Sequence, residues 1–477
     1  MEITIPSAFP RGGRLFYDPA RSVNPRLARG VFALLSVGAC ILAVVLGLNP
    51  RRAGDFHIYL MAARRFLQGE PLYRVMDGFL PFKYLPASAA LFVPFLGLPE
   101  RVAAAVWNLG SAVSVVLVTQ ATVRARGGTY AAGVFACIAG AQALQLELFY
   151  GQVDAACLGL LFVCAGASRA PVRGLALAVA ILLKPTCVVF ALWHLKHRGT
   201  RVLGFALGFG VLAMLGVAGR YGFTPSLGLL RDWLALTAAT TRPWLAGYNA
   251  QGVPSMVAGM VQALGGAAGG LVFPLQLGAI GLAAVALWRS RGDSRSDAAL
   301  MLVAVVLASP LAWRANFVLA APALVLVAAW PDRSRVRWAL VTGLLLVGLV
   351  MSEPVLGHER LREVLLFRPF GAVYLLLAGW LVSRRVGSVH APGESEERHH
   401  RRTANSNLHS ASFSHAETKP PAFSARRDPS ASSSPPPPTS SRPLRASAPG
   451  LPQPPSDCRG PAVPARASRI CFLRTGS

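Results

Sequence analysis

The sequence predicts an all-α polytopic membrane protein, and three observations carry that expectation. Of 477 residues 53% are hydrophobic and 14% charged, with mean hydropathy +0.47. That leaves too little polar surface to cover a soluble globule of this size, so the solvent must be lipid. The apolar residues are gathered into stretches long enough to enter or cross a hydrocarbon core of about 30 Å, as in a helical bundle and not a barrel. The net charge of +26 is the third. Its basic residues stand mainly beside predicted helix ends and in the C-terminal tail, where they hold cytoplasmic loops against anionic membrane lipid; nucleic acid is not an expected partner.

The chain begins with Arg11, Arg14, Arg21, Arg26 and Arg29 before the first apolar run. No small-residue cleavage site follows that run, which is expected to stay as an anchor. Residues 1–29 are therefore read as a cytoplasmic segment. Positive-inside reasoning takes residues 30–48 outward, gives a long outer loop over 49–101, and returns through 102–123 to Arg124 and Arg126. Segments 130–148 and 152–168 make a hairpin turning at Tyr150-Gly151-Gln152. Segment 173–195 has Arg169 and Arg173 before it and Lys196, His197, Arg198 and Arg201 after it, so both ends want the cytoplasm. It is read as two short helices broken at Lys184-Pro185, where proline removes a backbone donor. The same device recurs at Ser309-Pro310, between 298–309 and 314–330. With 202–219, 268–288, 336–351 and 369–383, the total is about twelve crossings (roughly ten to thirteen) with both termini inside.

Residues 30–383 thus form the membrane domain. From 384 to 477 the composition turns to Ser, Pro, Arg and His, including Pro435-Pro436-Pro437-Pro438. This segment is expected to be a disordered basic cytoplasmic tail without a site. Of seven cysteines, Cys40, Cys137, Cys157, Cys164 and Cys187 lie in apolar runs without CxxC spacing, so neither zinc nor structural disulfides are indicated.

The informative polar residues lie in the outer loops. Residues 54–73 open with Asp55, and Phe56, Leu60, Ala63 and Leu67 repeat at helical spacing, as in an amphipathic helix lying along the interface. Spacing alone makes Asp55 an N-cap. Lys184 and Arg314 sit at broken-helix apices inside apolar runs, where an unpaired charge is costly and marks function; snorkelling to the interface is the plain alternative. Together they could grip a phosphate. Arg64, Lys83 and Arg242 are further cations beside helices, where lipid headgroups are the ordinary partner. Trp233, Trp244 and Tyr248 fall in a long outer segment, 221–252, with interfacial anchoring as their default. The stretch from Arg231 to Asn249 and Gln251 is long enough to form a loop over a groove.

Five motifs in order resemble glycosyltransferase family 87, the polyprenyl-phosphate-mannose-dependent mannosyltransferases of the GT-C class. They are Asp55-Phe56 with Tyr59, Ala63-Arg64, Gly69, Pro71-Leu72-Tyr73 and Tyr84-Leu85-Pro86; Tyr150-Gly151-Gln152-Val153-Asp154; Leu183-Lys184-Pro185; Asn249-Ala250-Gln251; and Ser309-Pro310-Leu311-Ala312-Trp313. The family usually has Gly-Gln-Val-Asn where Gln152-Val153-Asp154 stands, and many members carry a His at the position of Ala315, so that role is not carried over. The resemblance implies a GT-C bundle that moves a hexose, with mannose the expected sugar, from a polyprenyl-phosphate donor to a lipid-linked or cell-envelope glycan acceptor.

It makes Asp55 the catalytic base; charge and position put Lys184 and Arg314, and more weakly Arg64 and Lys83, on the donor phosphate. Tyr59, Gln152, Asp154, Asn249, Gln251 and Trp313 would bind sugar or acceptor. Neither a metal nor another cofactor is expected, since Arg and Lys can stabilise a lipid-monophosphate leaving group. The expected location is the bacterial cytoplasmic membrane with the site outside. The rival class is a transporter or flippase, which Glu147, Asp154, Lys184 and proline-broken helices also fit. Against it stand the long first outer loop and the lack of an internal repeat.

Overall fold

The computed structural model describes residues 24–74, 81–331 and 334–384; the expected N-terminal segment up to residue 23 and the tail beyond Arg384 lie outside the described residues. The described residues are helical, without strands. Helix α1 (Pro25–Leu48) starts five residues before the expected span: Pro25 occupies the first turn, and the Asn24 side chain accepts from the Arg26 amide at 2.9 Å. Proline pre-set for helical φ and a side-chain cap satisfy the end that apolarity alone could not locate. Helix α2 (Gly54–Gln68) follows, then short turns over Ser88–Leu91 and Val93–Gly97, and α3 (Glu100–Ala125) returns.

The α1–α3 crossing is close. A Cβ on Gly47 would lie 2.4 Å from the Ala105 Cα, so the two backbones touch where only glycine fits. Gly47→Ala must push α3 away and is expected to lower stability by about 1–3 kcal/mol, as overpacking does. Thermal unfolding of the purified protein checks this.

Helices α4 (Tyr130–Ala139) and α5 (Ala141–Tyr150) are bent by 54° about Gly140. The expected hairpin follows: Gly151 turns with φ +69° and α6 (Asp154–Gly166) departs. Helix α7 (Ala170–Leu183) ends where proline dictates. Lys184 is extended, a 3-10 segment covers Pro185–Phe190, and Ala191–Lys196 completes the return.

Next comes α8 (Thr200–Tyr221), and then α9 (Phe223–Thr241), a 19-residue helix that runs on through Arg231 into the stretch expected to form a loop. The correction has a plain cause: past Gly222, the residues Ser226, Leu229 and Trp233 fall at helical spacing, and Ser226 and Leu229 are buried. Helices α10 (Val253–Ala263), α11 (Val272–Arg289) and α12 (Ser294–Leu307) lead to the second proline break. After it come a 3-10 turn over Arg314–Ala320, α13 (Ala321–Ala329), α14 (Arg335–Leu345), α15 (His358–Leu366) and α16 (Pro369–Ser383). From Ser296 to Leu307 every residue of α12 is buried, so this helix forms part of the core, packed against the Arg314–Ala320 turn and α16.

The protein is an integral membrane protein, but the expected count of about twelve spans is not reached by length. Among the described residues four helices are long and apolar enough to cross alone, or six if α4–α5 and α15–α16 each count as one bent span. Shorter apolar helices, α6 and α7 among them, stand beside these. Elements surrounded by protein need not match the bilayer thickness, because neighbours cover their free backbone groups.

One end of the bundle is tied by polar contacts. Lys196 pairs with Asp297 at 2.7 Å and donates to the Leu287 and Ser290 carbonyls, His197 reaches the same carboxylate at 2.9 Å, and Arg126 faces Asp293 at 3.6 Å. The five motifs assemble at the ends of the helices away from this clasp.

Candidate active site

Asp55 is the second residue of α2, and the helix is not capped by it. The cap position is Ala53, left-handed at φ 57°, with no side-chain hydrogen bond. This corrects the spacing-based reading: the helix starts two residues earlier, and its start is held from outside by the Ala53 amide donating to the Phe149 carbonyl at 2.8 Å. Close by, a Cβ on Gly151 would lie 3.0 Å from the Phe56 Cβ, and its φ of +69° already disfavours a side chain. The α2 start and the Tyr150-Gly151-Gln152 turn therefore fit together only with glycine, which brings Asp55 to Gln152.

The buried face of α2 is Phe56, Tyr59, Leu60, Ala62 and Ala63, whereas Leu67 is half exposed. This face meets protein, not the membrane interface expected for it. The Phe56 ring stacks on Trp107 at 5.7 Å, Tyr59 lies 4.7 Å from Phe92, and the Tyr59 and Tyr84 hydroxyls are 2.8 Å apart. Tyr73 donates to the Tyr84 carbonyl at 2.6 Å, and Trp233 donates to the Lys83 carbonyl at 2.9 Å. Trp233 is thus a brace for the Lys83 segment, not the interface anchor expected of it. Trp107 donates to the carbonyls of Gly151 and Gln152, both at 3.1 Å, and Asn108 to that of Leu148 at 2.8 Å.

These braces surround a cavity of about 220 Å³ whose wall includes Asp55, Tyr59, Lys83, Gln152, Asp154, Lys184 and Trp313. One side of it is a polar network. Lys184 pairs with Asp154, their side chains only 13% and 3% exposed, and Asn316 donates to the other Asp154 oxygen at 2.7 Å. The Asn316 oxygen accepts from the Trp313 amide at 2.7 Å, locking the turn after Ser309-Pro310. Behind the network the buried Glu147 accepts from the Ala155 amide at 2.8 Å.

On the other side, burial pushes the Asp55 carboxyl up to about 6; a hydrogen bond with Gln152 and the nearby Lys83 cation pull it down, and Asp154 pushes it up. Burial lowers Lys83 from its ordinary value while Asp55 holds it up. A carboxyl poised near neutrality, two cations, amides and aromatic rings therefore face one small volume, a set of groups able to serve glycosyl transfer from a phosphate.

Four candidates stand elsewhere. Arg64 is exposed; nine residues after Asp55, it lies about half a turn round the helix from it. Gln251 is fully buried as a strut, its amide donating to the Ala312 carbonyl at 2.8 Å and its side chain to those of Tyr248 and Leu365 at 2.7 and 3.0 Å. Asn249 is half-buried and outside the cavity wall. Arg314 reaches the Met351 carbonyl at 3.4 Å, with Tyr150 and Glu353 near it, so the expected pairing with Lys184 is not formed in one cavity.

Conversely Tyr84, Ser309 and Asn316 line the cavity and were not singled out as ligands. The signal for Asn316 was a lone amide inside an apolar run, three residues after Trp313. Among the described residues no three His, Cys, Asp or Glu side chains converge as a metal-binding group.

The sequence model of glycosyltransferase family 87 matches residues 82–310. A polyprenol-phosphate-mannose-dependent alpha-(1-2)-phosphatidylinositol mannoside mannosyltransferase of Mycolicibacterium smegmatis is 27% identical over 368 residues, covering 69% of this chain and 81% of the relative. A polyprenol-phosphate-mannose-dependent alpha-(1-2)-phosphatidylinositol pentamannoside mannosyltransferase of Mycobacterium tuberculosis is 26% identical over 345 residues, covering 68% and 76%. Among solved structures, apo ArnT from Cupriavidus metallidurans aligns with TM-score 0.34 at 15% identity, over 75% of this chain and 78% of that one. The similarity to that family decides between the enzyme and the transporter: this chain resembles glycosyltransferase family 87 over residues 82–310 and is a membrane glycosyltransferase.

Proposed function

We propose that the protein transfers mannose from polyprenyl-phosphate mannose to a hydroxyl of a lipid-anchored mannoside on the outer face of a bacterial cytoplasmic membrane. The observation that carries this is the sharing of one cavity of about 220 Å³ by Asp55, Lys83 and Lys184. Its size is below the roughly 300–1,000 Å³ of drug-sized sites and suits one sugar ring with the phosphate at its edge. Asp55 takes the proton of the acceptor hydroxyl as its oxygen attacks the anomeric carbon. The new glycosidic bond forms while the bond from that carbon to the phosphate oxygen breaks, and the electron pair leaves with the polyprenyl phosphate. Lys83 and Lys184 hold the growing negative charge, with Lys184 shared between phosphate and Asp154. Tyr59, Gln152, Asp154, Trp313 and Asn316 orient the sugar, and Arg314 serves the rim where the acceptor enters. Gln251 acts only through the loop that it holds, and Arg64 and Asn249 have no part in the transfer.

Purified protein in lipid nanodiscs, supplied with radiolabelled polyprenyl-phosphate mannose and phosphatidylinositol mannosides, is expected to label the acceptor lipid. Because the base must be ionised, kcat is expected to fall as pH drops through about 6, the value to which burial raises Asp55. No labelled lipid refutes the function, and a flat acidic limb refutes the base.

The outer-face placement rests on the positive-inside rule, since Arg126, Lys196 and His197 lie at the opposite end of the bundle from the cavity. A cysteine replacing Trp244, which is 46% exposed, is expected to react with a membrane-impermeant thiol reagent in intact cells. One replacing the exposed Arg291 is expected to react only after the cytoplasmic side is opened; the reverse pattern would invert the topology.

A further inference from the structure

The end of the bundle away from the reaction cavity encloses a space of its own. A cavity of about 400 Å³ lies between α3, α6, α12 and α13, with Leu161, Phe162, Phe190, Leu302 and Leu326 in its apolar wall. Ala125, Gly166 and Ser294 line it too and are exposed, so it opens outward where these three helix ends meet. Trp193 closes one side, its indole donating to the Ser294 carbonyl at 2.9 Å, with the Arg173 guanidinium 5.7 Å from its ring.

Two further guanidiniums cross the seam at this mouth in opposite directions. Arg126, one residue past α3, donates to the Ser296 hydroxyl of α12 at 3.1 Å, and Arg295 of α12 donates to the Ala125 carbonyl of α3 at 3.3 Å. Both residues line the cavity. The acid beside them is already divided: Asp293 accepts from the Ser296 amide at 2.7 Å as the α12 cap and faces Arg126 only at 3.6 Å. One carboxylate therefore answers two guanidiniums and the positive end of α12, which leaves the seam positively charged. The surroundings do not cancel that charge. Residues 124–129, 167–173, 196–201 and 289–297, connections at this end, carry ten Arg and Lys but only two Asp, and the second of these, Asp297, is paired with Lys196.

An apolar hole under a cationic rim fits a molecule with an anionic head and an apolar chain. Depth identifies the chain. Along α12 the lining runs from Ser294 to Leu302, about 12 Å at 1.5 Å per residue, which lies within the roughly 15 Å of a single leaflet. That admits an acyl chain and is too shallow for one that crosses the bilayer. The chain's own segment beyond Arg384 is basic, so like charge keeps it from this rim.

We propose that an anionic phospholipid of the leaflet at this end, the cytoplasmic one in the topology above, binds here with its phosphate between Arg126 and Arg295 and one acyl chain in the cavity. Lying across the seam, it ties α3 to α12, the core helix that leads to the Ser309-Pro310 break. Full-length protein in nanodiscs tests this. Thermal unfolding in phosphatidylcholine is compared with unfolding at rising phosphatidylglycerol of the same acyl chains, and a rise of about 2–4 °C is expected. Native mass spectrometry is expected to show one retained phosphatidylglycerol.

Arg126→Gln combined with Arg295→Gln should lose both the shift and the retained lipid, while Arg242→Gln, exposed beside Trp244, should keep both. Ala298→Leu fills the cavity and leaves both guanidiniums in place; it too should lose the retained lipid. No shift in wild type, or a shift that survives in the double variant, overturns the site. Lipid retained by Ala298→Leu as by wild type overturns the seated acyl chain, and a wild-type shift produced equally by inorganic phosphate overturns a phospholipid as the ligand.

Discussion

Asp55→Asn is expected to lose about 10²–10⁴-fold in kcat, the usual cost of a missing positioned base, while unfolding at the same or a higher temperature. The two halves of that result have one physical origin. Burial raises the Asp55 carboxyl to about 6, so the folded site resists the very charge that the reaction needs. With the folded value above the ordinary one of 3.8, the carboxyl favours the folded state when protonated. That contribution fades as pH rises from about 4 through about 6. Asparagine carries no such penalty, so the variant should lack this part of the pH dependence of stability. Since Ala53 and not Asp55 holds the cap position, no cap is forfeited. Thermal unfolding from pH 4 to 8, run beside the transfer assay, reads both. Near wild-type turnover by a well-folded Asp55→Asn would dismiss Asp55 as the base.

Lys184→Met should damage stability and activity together, and a second substitution should separate them. Asp154 is 3% exposed and paired with Lys184; removing the cation leaves a buried carboxylate with only Asn316 to answer it. Breaking such a pair costs about 3–5 kcal/mol. In Lys184→Met with Asp154→Asn the buried charge is gone, and replacing both partners is often nearly neutral, so most of the lost stability should return. Transfer should not return to wild-type rate, because in the proposed site only Lys83 remains to meet the leaving phosphate. Unfolding midpoints and single-turnover transfer for both single variants and the double variant complete the cycle. Recovery of activity in the double variant would make Lys184 a structural residue alone.

Much of this was legible in the sequence because lipid imposes strict rules. Proline at 185 and 310, positive charge gathered at one set of helix ends and long apolar runs each have one low-energy solution in a bilayer, and the breaks fall where these residues place them. Motif order likewise marked Asp55, Tyr59, Lys83, Gln152, Asp154, Lys184 and Trp313, all of which line one cavity. Less was legible where packing decides. The stretch after Arg231 was read as a loop from its length alone, yet α9 continues through it to Thr241, held by the buried Ser226 and Leu229. Gln251 was taken for a sugar ligand because an amide at an outer boundary carries the same signal whether it faces solvent or two backbone carbonyls.

By itself, the sequence determined the solvent, the helical class, the family motifs and the chemical inventory of base, cations and amides, since these depend on residue identity and spacing along the chain. Only the tertiary structure decided which groups share a volume. It put Lys184 on Asp154 and left Arg314 outside the cavity. It turned Arg64 to the exposed side of α2 and drew Asn316 in. Partners separated by 30 residues, as Asp154 and Lys184 are, or by 162, as Asp154 and Asn316 are, meet only through helix packing. No local propensity records such a meeting, because it is settled by which backbones can approach. At Gly47 and Gly151 that approach is close enough to leave no room for a side chain.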